Sequence, residues 1–561
     1  MESLASAIKL MVNDCFMASV DLKDAYYSVP VALEHRKWLK FEWENELWQF
    51  TSLAMGLSCS PRKFTKLMKP VYSELRKKGC FVVPYIDDTY IQGDSFQECW
   101  DNVRATVELL QSLGFILNIE KSVFEPKQKV QFLGFILDSV DMTVKLTKER
   151  TEILLSEINK LTKKVEYPIR QVSRVLGLMV ASFPGVEYGP LFYRNLENRK
   201  IDALKSAKGN FENLMTLDNE IREDLNWWIE NLEGSHKKIK WDHPSFVLQT
   251  DASKKGWGAH VTSTGDSTGG RWLDVEAEQH INELELLAVL YGLLSLCAEV
   301  KSAHIRIQSD NVTTVCYLNS MGGSKARSCN QIAKKIWIWC MSKDIWLSAA
   351  HIPGKTNSIA DSYSRSFDDT TEWRLDQNAF YKINALWGPY DIDLFASRLN
   401  NQIQRFVSWK PDPYATFIDA FTVNWHEFYF YAFPPFSIIG QCIQKIKEDS
   451  AEGVMIVPVW PTQSWFPKIL EMVTEIPLLL PCRNNLLTMH RQTKTHPLGK
   501  KLKLMLCRVS GGSSKPSEFR RKYCESSRNR GEDPPRPNMQ SLLKDGKHFV
   551  VKGIMIRLGH L

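Results

Sequence analysis

Two periodicities alternate along residues 15–138. Short apolar runs of strand length (Ala18–Leu22, Phe81–Tyr85, Tyr90–Gln92, Val130–Leu137) are separated by longer stretches with apolar residues at three- and four-residue steps, Pro61–Lys77 and Ser95–Leu113. The first kind reads as strands and the second as amphipathic helices, so this segment is predicted to be a mixed α/β layer. Residues 147–235 keep the helical period and show no strand pattern of comparable strength. A second α/β pattern opens at Ser245 and runs to about Ser366, with strands predicted at Phe246–Gln249, from Gly256 to Ala259, and at Ala303–Gln308. Between them lies a helix, Asn282–Ala298, that is apolar on every side. A Trp- and Phe-rich region, Trp373–Pro481, follows, and Gly511–Pro537 is rich in Gly, Ser, Pro and Arg and is predicted to form no regular structure.

Composition narrows the class. With 561 residues, 44% hydrophobic and 24% charged, the chain has the make-up of globular protein and the length of three to four domains. Its longest uncharged apolar run, Leu286–Ala298, has 13 residues and is too short to span a bilayer, so no membrane partner is expected. The amino terminus has no basic segment leading into an apolar one, and the twelve cysteines include no CxxC pair. Reduced thiols and an intracellular, non-secreted chain are expected, in cytoplasm or nucleus. Oligomeric state is not legible. The formal net charge of +7 is unevenly spread: Cys482–Leu561 holds 18 basic and 5 acidic residues, leaving 53 and 59 in the rest. A basic tail on a mildly acidic body points to a polyanionic partner, although a solvated tail would have the same composition.

Candidate chemistry sits in two sets of acids. Asp87 and Asp88 lie in Tyr85-Ile86-Asp87-Asp88, between the apolar runs Phe81-Val82-Val83 and Thr89-Tyr90-Ile91, and Asp21 follows another strand, Met17–Val20. Adjacent carboxylates repel, and a hard divalent cation with oxygen ligands removes the repulsion. If the strands are neighbours, Asp21 and Asp88 can share two metals, the requirement of two-metal phosphoryl transfer. Taken alone, the Asp-Asp pair also fits an ordinary hairpin turn. The second set is Asp251 at the end of a strand, Glu285 on the apolar helix, Asp310 at the end of the next strand and Asp361 at the opening of a helix after Asn357. Each singly fits a turn residue; four at element ends in the order strand, helix, strand, helix are harder to assign to chance.

The first set resembles the palm motifs of reverse transcriptases. Val20-Asp21-Leu22-Lys23-Asp24-Ala25-Tyr26-Tyr27-Ser28-Val29-Pro30 is similar to the first motif, and Phe50–Leu57 through Ser60-Pro61 and Phe64 to the template- and nucleotide-contacting motif. Tyr85–Asp88 resembles the YxDD box, Leu113-Gly114-Phe115 to Lys121 the motif after it, and Phe132-Leu133-Gly134-Phe135 the primer grip. The resemblance implies that Asp21 and Asp88 are the principal metal ligands and Asp87 an accessory one. Tyr26 takes the place of the aromatic that excludes a ribose 2′-hydroxyl. Gly56 would let the backbone approach the nascent pair, and Lys121 either protonates the leaving pyrophosphate or is a surface lysine. Only 20 residues precede Asp21, where the family places most of its fingers. Leu33–Thr51 supplies the second fingers segment alone, so polymerase activity of these residues is expected to be weak.

The second set resembles ribonuclease H type 1, through Gln249-Thr250-Asp251-Ala252-Ser253, Glu285-Leu286-Leu287-Ala288, Ser309-Asp310-Asn311 and His351-Ile352-Pro353-Gly354-Lys355-Thr356-Asn357-Ser358-Ile359-Ala360-Asp361. That implies Asp251, Glu285, Asp310 and Asp361 as ligands of two metals and His351 as an aid to product release or proton transfer. Glu283 competes with Glu285 for the ligand role, and the Glu-Leu-Leu-Ala match favours Glu285. Beyond Ser366, Asp391-Ile392-Asp393-Leu394-Phe395-Ala396-Ser397, Asn400, Trp409, Asp419-Ala420-Phe421 and Phe433-Pro434-Pro435-Phe436 are similar to phage-type DNA adenine-N6 methyltransferases. There an Asn or Asp precedes Pro-Pro-aromatic; Phe433 here cannot accept a hydrogen bond, which implies a degenerate module.

The whole order resembles a DIRS-type retroelement polyprotein. The expected fold is α/β and α+β multidomain: palm with partial fingers at 1–140, a helical thumb and connection at 141–243, ribonuclease H at 244–368, a methyltransferase-like module at 369–481 and a basic, partly disordered tail at 482–561. The implied activities are RNA-directed DNA synthesis and hydrolysis of RNA in RNA–DNA hybrids with Mg²⁺ or Mn²⁺, two ions per site. The implied partners are an RNA template, a DNA primer, the hybrid and deoxynucleoside triphosphates. Two alternatives stay open: a ribonuclease H with a dead polymerase, and a non-catalytic nucleic-acid-binding relic.

Overall fold

The computed structural model describes residues 2–239, 243–367, 372–483, 485–489, 496–528, 547–552 and 554–561. The chain divides into two units, Met1–His243 and Pro244–Leu561, both mixed α/β.

In the first unit β1 (Phe16–Asp21), β2 (Phe81–Tyr85), β3 (Asp88–Gly93) and β4 (Val123–Lys127) form an antiparallel sheet in the order β2-β3-β1-β4. Helices Ser60–Lys77 and Phe96–Ser112 pack on it, burying Phe64, Met68, Leu75, Cys99, Val103 and Leu110 against Ala18, Val20, Val82 and Ile91. Local chemistry sets the helix starts: Pro61 occupies the first turn of one, and the Ser95 side chain caps the other by accepting from the Glu98 amide at 3.2 Å. The segment Lys40–Gln49 forms an exposed hairpin.

The run Val130–Leu137, predicted as one strand, is two: β5 (Lys129–Phe132) and β6 (Phe135–Asp138). Leu133 and Gly134 between them have φ of 50° and 78°, the left-handed pair that a two-residue hairpin turn requires. With β7 (Thr143–Leu146) and β8 (His236–Lys238) they make a sheet in the order β8-β7-β6-β5. The boundary expected at 140 therefore falls inside a sheet, because the chain returns at His236 to pair with Lys145. Helices Lys148–Leu161, Ile169–Ser182, Arg194–Ser206 and Asn219–Asn231 fill most of the segment predicted to be helical.

The second unit begins with β9 (Phe246–Ala252), β10 (Gly256–Val261), β11 (Ser267–Arg271), β12 (Ala303–Ser309) and β13 (Ile345–His351), in the order β11-β10-β9-β12-β13. The pairs β9–β12 and β12–β13 are parallel and the others antiparallel. Helix α1 (Ile281–Leu296) buries Leu284 through Leu293 without interruption, since it is packed between this sheet and helix Arg327–Ser342. Helix α2 (Ser358–Arg365) lies across β10 and β11. Gly258 makes that possible: a Cβ there would stand 2.1 Å from the Ala360 carbonyl oxygen.

A second sheet completes the unit: β14 (Ile392–Asp393), β15 (Tyr429–Ala432), β16 (Glu452–Pro458), β17 (Leu478–Leu479), β18 (Leu504–Ser510) and β19 (Gly559–His560), in the order β14-β15-β16-β18-β17-β19. The boundary expected at 481 does not separate a module from a tail. Strand β18 sits inside the sheet between β16 and β17, and helix Ser514–Arg528 covers much of the stretch predicted to lack structure. The physical reason is the run Leu504-Met505-Leu506-Cys507, too apolar to stay solvated despite the basic residues around it. The rest of the Gly511–Pro537 expectation, residues 529–537, lies outside the described residues. Among the described residues no helix is long and apolar enough to cross a membrane.

Leu504, Met505, Leu506 and Val509 are all essentially inaccessible. At about 1.5–3 kcal/mol each, their burial rivals the ~5–15 kcal/mol net stability of a domain. A chain ending at Pro481 is therefore expected to lose the cooperative melting of the 372–481 region. Scanning calorimetry checks this; an unchanged transition would mean that β18 is dispensable.

Candidate active sites: two acidic clusters

The β1–β3 register places Asp21 directly opposite Asp88, and the β2–β3 hairpin turns at Ile86-Asp87, with Ile86 at φ 56°. The three predicted acids thus come from one strand end and one tight turn. Their backbone is tied down: the Leu22 amide donates to the Asp87 carbonyl at 3.0 Å, and the Asp21 amide to Ser122 Oγ at 3.0 Å. Burial pushes the Asp88 carboxyl well above the usual carboxylate range, with the charges of Asp21 and Asp87 and a hydrogen bond to Asp21 adding to it. Asp87 is raised by burial and by Asp21, with Lys121 opposing. Lys121 is exposed but close enough for its charge to act on both.

Tyr26 lies in a short 3-10 turn and packs edge-on against Phe64 at 5.8 Å. Burial raises its hydroxyl pKa, with Asp87 and Tyr85 contributing, which puts the ring beside the acidic turn. Gly56 has φ 89° and open space where a Cβ would be. The left-handed backbone of the turn before helix Ser60–Lys77 is what the fold itself requires of this glycine.

The second cluster is tighter. Asp251, Glu285 and Asp310 each present an atom within 4.8 Å of the other two, the only such group of three His, Cys, Asp or Glu among the described residues. Asp251 sits within β9 opposite Gly258, one residue before the strand ends, Glu285 at the second turn of α1 and Asp310 just after β12. Glu285 Oε2 is buried with no hydrogen-bond partner. Burial, then the charges of Asp251 and Asp310, push this carboxyl up to about 9. Asp251 is raised to about 6, chiefly by burial, although Ser364 Oγ donates to its Oδ2 at 2.7 Å. An orphaned buried carboxylate oxygen facing two more acids is what hard-cation ligation requires, so these residues fit a divalent metal.

Asp361 stands beside the group but outside it. Its charge raises Asp251, while its own Oδ1 accepts from Arg365 Nε at 2.6 Å. His351 is exposed at the end of β13, with Nε2 3.1 Å from the Asp310 carbonyl oxygen. Glu283 is turned away to accept from Ser328 Oγ at 2.6 Å, leaving Glu285 as the cluster residue. Ser364 and Arg365 escaped the sequence reading, although Arg365 stands four residues after Asp361 on a predicted helix, a pairing distance legible without coordinates.

A cavity of about 580 Å³ opens where the parallel strands β14 and β15 end. Phe395, Trp409, Phe421, Phe433 and Phe436 line it together with Asp419.

Comparison with known proteins bears on the first unit and on part of the second. Residues 1–137 match the family described as reverse transcriptase (RNA-dependent DNA polymerase). Over this stretch the chain is similar to reverse transcriptase domains. Residues 365–508 match the family described as DNA N-6-adenine-methyltransferase (Dam), and so take in β18. The enzymatic polyprotein of figwort mosaic virus is 23% identical over 65% of this chain and 53% of its own length. That of cauliflower mosaic virus (strain NY8153) is 22% identical over 63% and 50%. The chain therefore spans about half the length of the curated relatives it matches. Among solved structures, the foamy viral protease–reverse transcriptase in complex with double-stranded DNA is similar at 18% identity and a TM-score of 0.38, covering 63% of this chain and 60% of that one.

The raised Glu285 carboxyl gives a pH test with a definite sign. Its folded value of about 9 exceeds the ordinary value near 4.3, so between them the native state binds more protons than the unfolded chain. Stability is then fully present below that window and lost as pH rises through it. In metal-free protein the melting temperature of the second unit should fall between pH 5 and 9. Glu285→Gln should flatten the profile, recovering roughly 2–4 °C per kcal/mol at the alkaline end. Identical profiles for both proteins would contradict the assignment.

Proposed function

We propose that the chain carries out phosphoryl transfer on nucleic acid at two sites. One is RNA-directed DNA synthesis at Asp21, Asp87 and Asp88, taking an RNA template, a DNA primer and deoxynucleoside triphosphates. The other is hydrolysis of the RNA strand of RNA–DNA hybrids at Asp251, Glu285, Asp310 and Asp361. The observation that carries this reading is the convergence of Asp251, Glu285 and Asp310 on one point with a buried carboxylate oxygen left unpartnered.

Asp251, Glu285 and Asp310 would hold divalent ions at one site, Asp21 and Asp88 at the other. Mg²⁺ or Mn²⁺, when bound, supplies Lewis-acid stabilisation of charge on phosphoryl oxygens and lowers the pKa of water. The protein's part is positional. Ser364 orients Asp251, and Arg365 holds Asp361 until that carboxylate is drawn toward the cluster. His351 Nε2, hydrogen-bonded to the Asp310 carbonyl, stands at the exposed rim where a strand would leave. At the first site Lys121 offsets the negative charge of Asp87 and Asp88, and the Tyr26 ring crowds the space beside the turn.

The motif order favours a DIRS-type retroelement polyprotein. The basic surplus after Cys482 supports a polyanionic partner. The purified 561-residue chain is expected to cut RNA in a hybrid with Mg²⁺ or Mn²⁺, and Asp310→Asn should lower the rate about a hundredfold or more, several kcal/mol of lost stabilisation. Primer extension on an RNA template should be weak and should vanish in Asp88→Asn. Cleavage without synthesis would select the ribonuclease with a dead polymerase. Neither activity, with nucleic acid still bound, would select the relic.

The aromatic cavity favours a second, smaller reading: the 372–561 module takes a planar base by stacking and transfers no methyl group. Phe433 offers no acceptor for an adenine amino group, while Phe436 stays available as a stacking surface. Phe436→Ala should weaken binding of a single-stranded oligonucleotide by 1–3 kcal/mol, the usual worth of one stacked base. Methyl transfer from S-adenosylmethionine to DNA adenine would sink this reading.

A further inference from the structure

Arg398 belongs to the sequence after the acidic cluster, yet its guanidinium lies among residues of the 244–367 region. Its Nη1 is 2.9 and 3.1 Å from the two carboxylate oxygens of Glu276, and its Nη2 donates to the Arg271 carbonyl at 2.6 Å. The guanidinium carbon stacks 4.6 Å from the centre of the Tyr291 ring, and the Tyr291 hydroxyl donates to Glu276. Both charged side chains are at most a tenth exposed. The Arg398 amide is itself held by Asp412 Oδ2 at 3.3 Å.

Two of the groups that Arg398 touches, Tyr291 and Arg271, lead to the cluster. Tyr291 is on α1, less than two turns beyond Glu285. Arg271 precedes Trp272, which packs on Tyr291 and donates from Nε1 to the Ser253 carbonyl at 2.8 Å, two residues past Asp251. Ser253 Oγ in turn donates to the Ser364 carbonyl, and Ser364 Oγ holds Asp251. Like charges resist being gathered, so the acids stay together only as far as their supports are rigid.

We propose that Arg398 is a positioning residue for the Asp251–Glu285–Asp310 site, so that the metal site depends on a side chain supplied by the following module. This rests on the metal-site reading above. Arg398 acts by fixing α1 and the Ser253 loop, and it touches neither metal nor substrate.

The test titrates the full chain with Mn²⁺ alone, reading free ion by electron paramagnetic resonance, in the parent and in Asp251→Asn, Arg398→Lys and the pair Arg398→Met with Glu276→Gln. The pair removes both charges of the Arg398–Glu276 contact together, so Glu276 is not left as an unpaired buried carboxylate as it would be in Arg398→Met alone. Loss of a support to a ligand typically costs 10–100-fold in metal affinity. The paired variant should therefore bind Mn²⁺ about tenfold more weakly. Arg398→Lys, which keeps the charge, should fall between it and the parent. Affinity within twofold of the parent in the folded paired variant would overturn the proposal while leaving the metal site intact. Unchanged binding in Asp251→Asn would instead remove the metal-site reading, and the proposal with it.

Discussion

Three carboxylates gathered within 4.8 Å with no cation among the groups that shift Glu285 set the terms for the second unit. At an effective dielectric near 20, two like charges at that separation repel by about 3 kcal/mol, and burial adds to the cost of ionising each. The chain does not relieve this by spreading the acids. It places Asp251 in the central strand β9, Asp310 beyond the adjacent β12 and Glu285 on a helix packed against the sheet, and Gly258 lets α2 come close enough to bring Asp361 alongside. Repulsion of this kind is what a hard cation would relieve. Without a metal the same crowding and burial favour the protonated acids, more so at Glu285 than at Asp251.

The first unit meets the same constraint by cheaper means. Asp21 and Asp88 are cross-strand partners in an antiparallel ladder, a position where like charges oppose one another, and Asp87 occupies the turn. Here the acids remain partly exposed and Lys121 acts on two of them, so burial, still the larger cause, and crowding are both opposed by a nearby cation. One site is built into a core and the other onto the lip of a hairpin.

What could be read from the sequence follows from range. Asp21, Asp87 and Asp88 were legible because each abuts an apolar strand, and two such strands in one layer pair. Glu285 was separable from Glu283 by motif alone; the structure adds the reason, that Ser328 donates to the competitor's carboxylate. The split of Val130–Leu137 was missed because an apolar run masks a turn whose only signal is Leu133-Gly134. The fold of the last 80 residues was missed because averaging charge over Cys482–Leu561 hid a seven-residue strand, Leu504–Ser510, that is core by itself. Arg398 had no local signal: nothing in its neighbourhood says that its partner, Glu276, lies 122 residues earlier.

Glu276 and Glu285 show how one buried carboxylate is closed off by the fold and the other is left open to a ligand role. Glu276 receives the Leu273 amide at 2.7 Å, the Tyr291 hydroxyl and both contacts from Arg398, so each oxygen is satisfied by the protein and nothing is left for a solute. Glu285, nine residues on and one helix away, keeps an oxygen unpartnered, and the charges that act on it, Asp251 and Asp310, are both negative. Breaking a satisfied buried pair costs several kcal/mol because it strands a charge, whereas an unsatisfied acid gains by capturing one. Similar side chains at similar depth thus take opposite roles, decided by donor count. The acid that joins the 244–367 region to the module after it is the one whose valence is spent within the fold, and the acid proposed as a metal ligand is the one whose valence is left open.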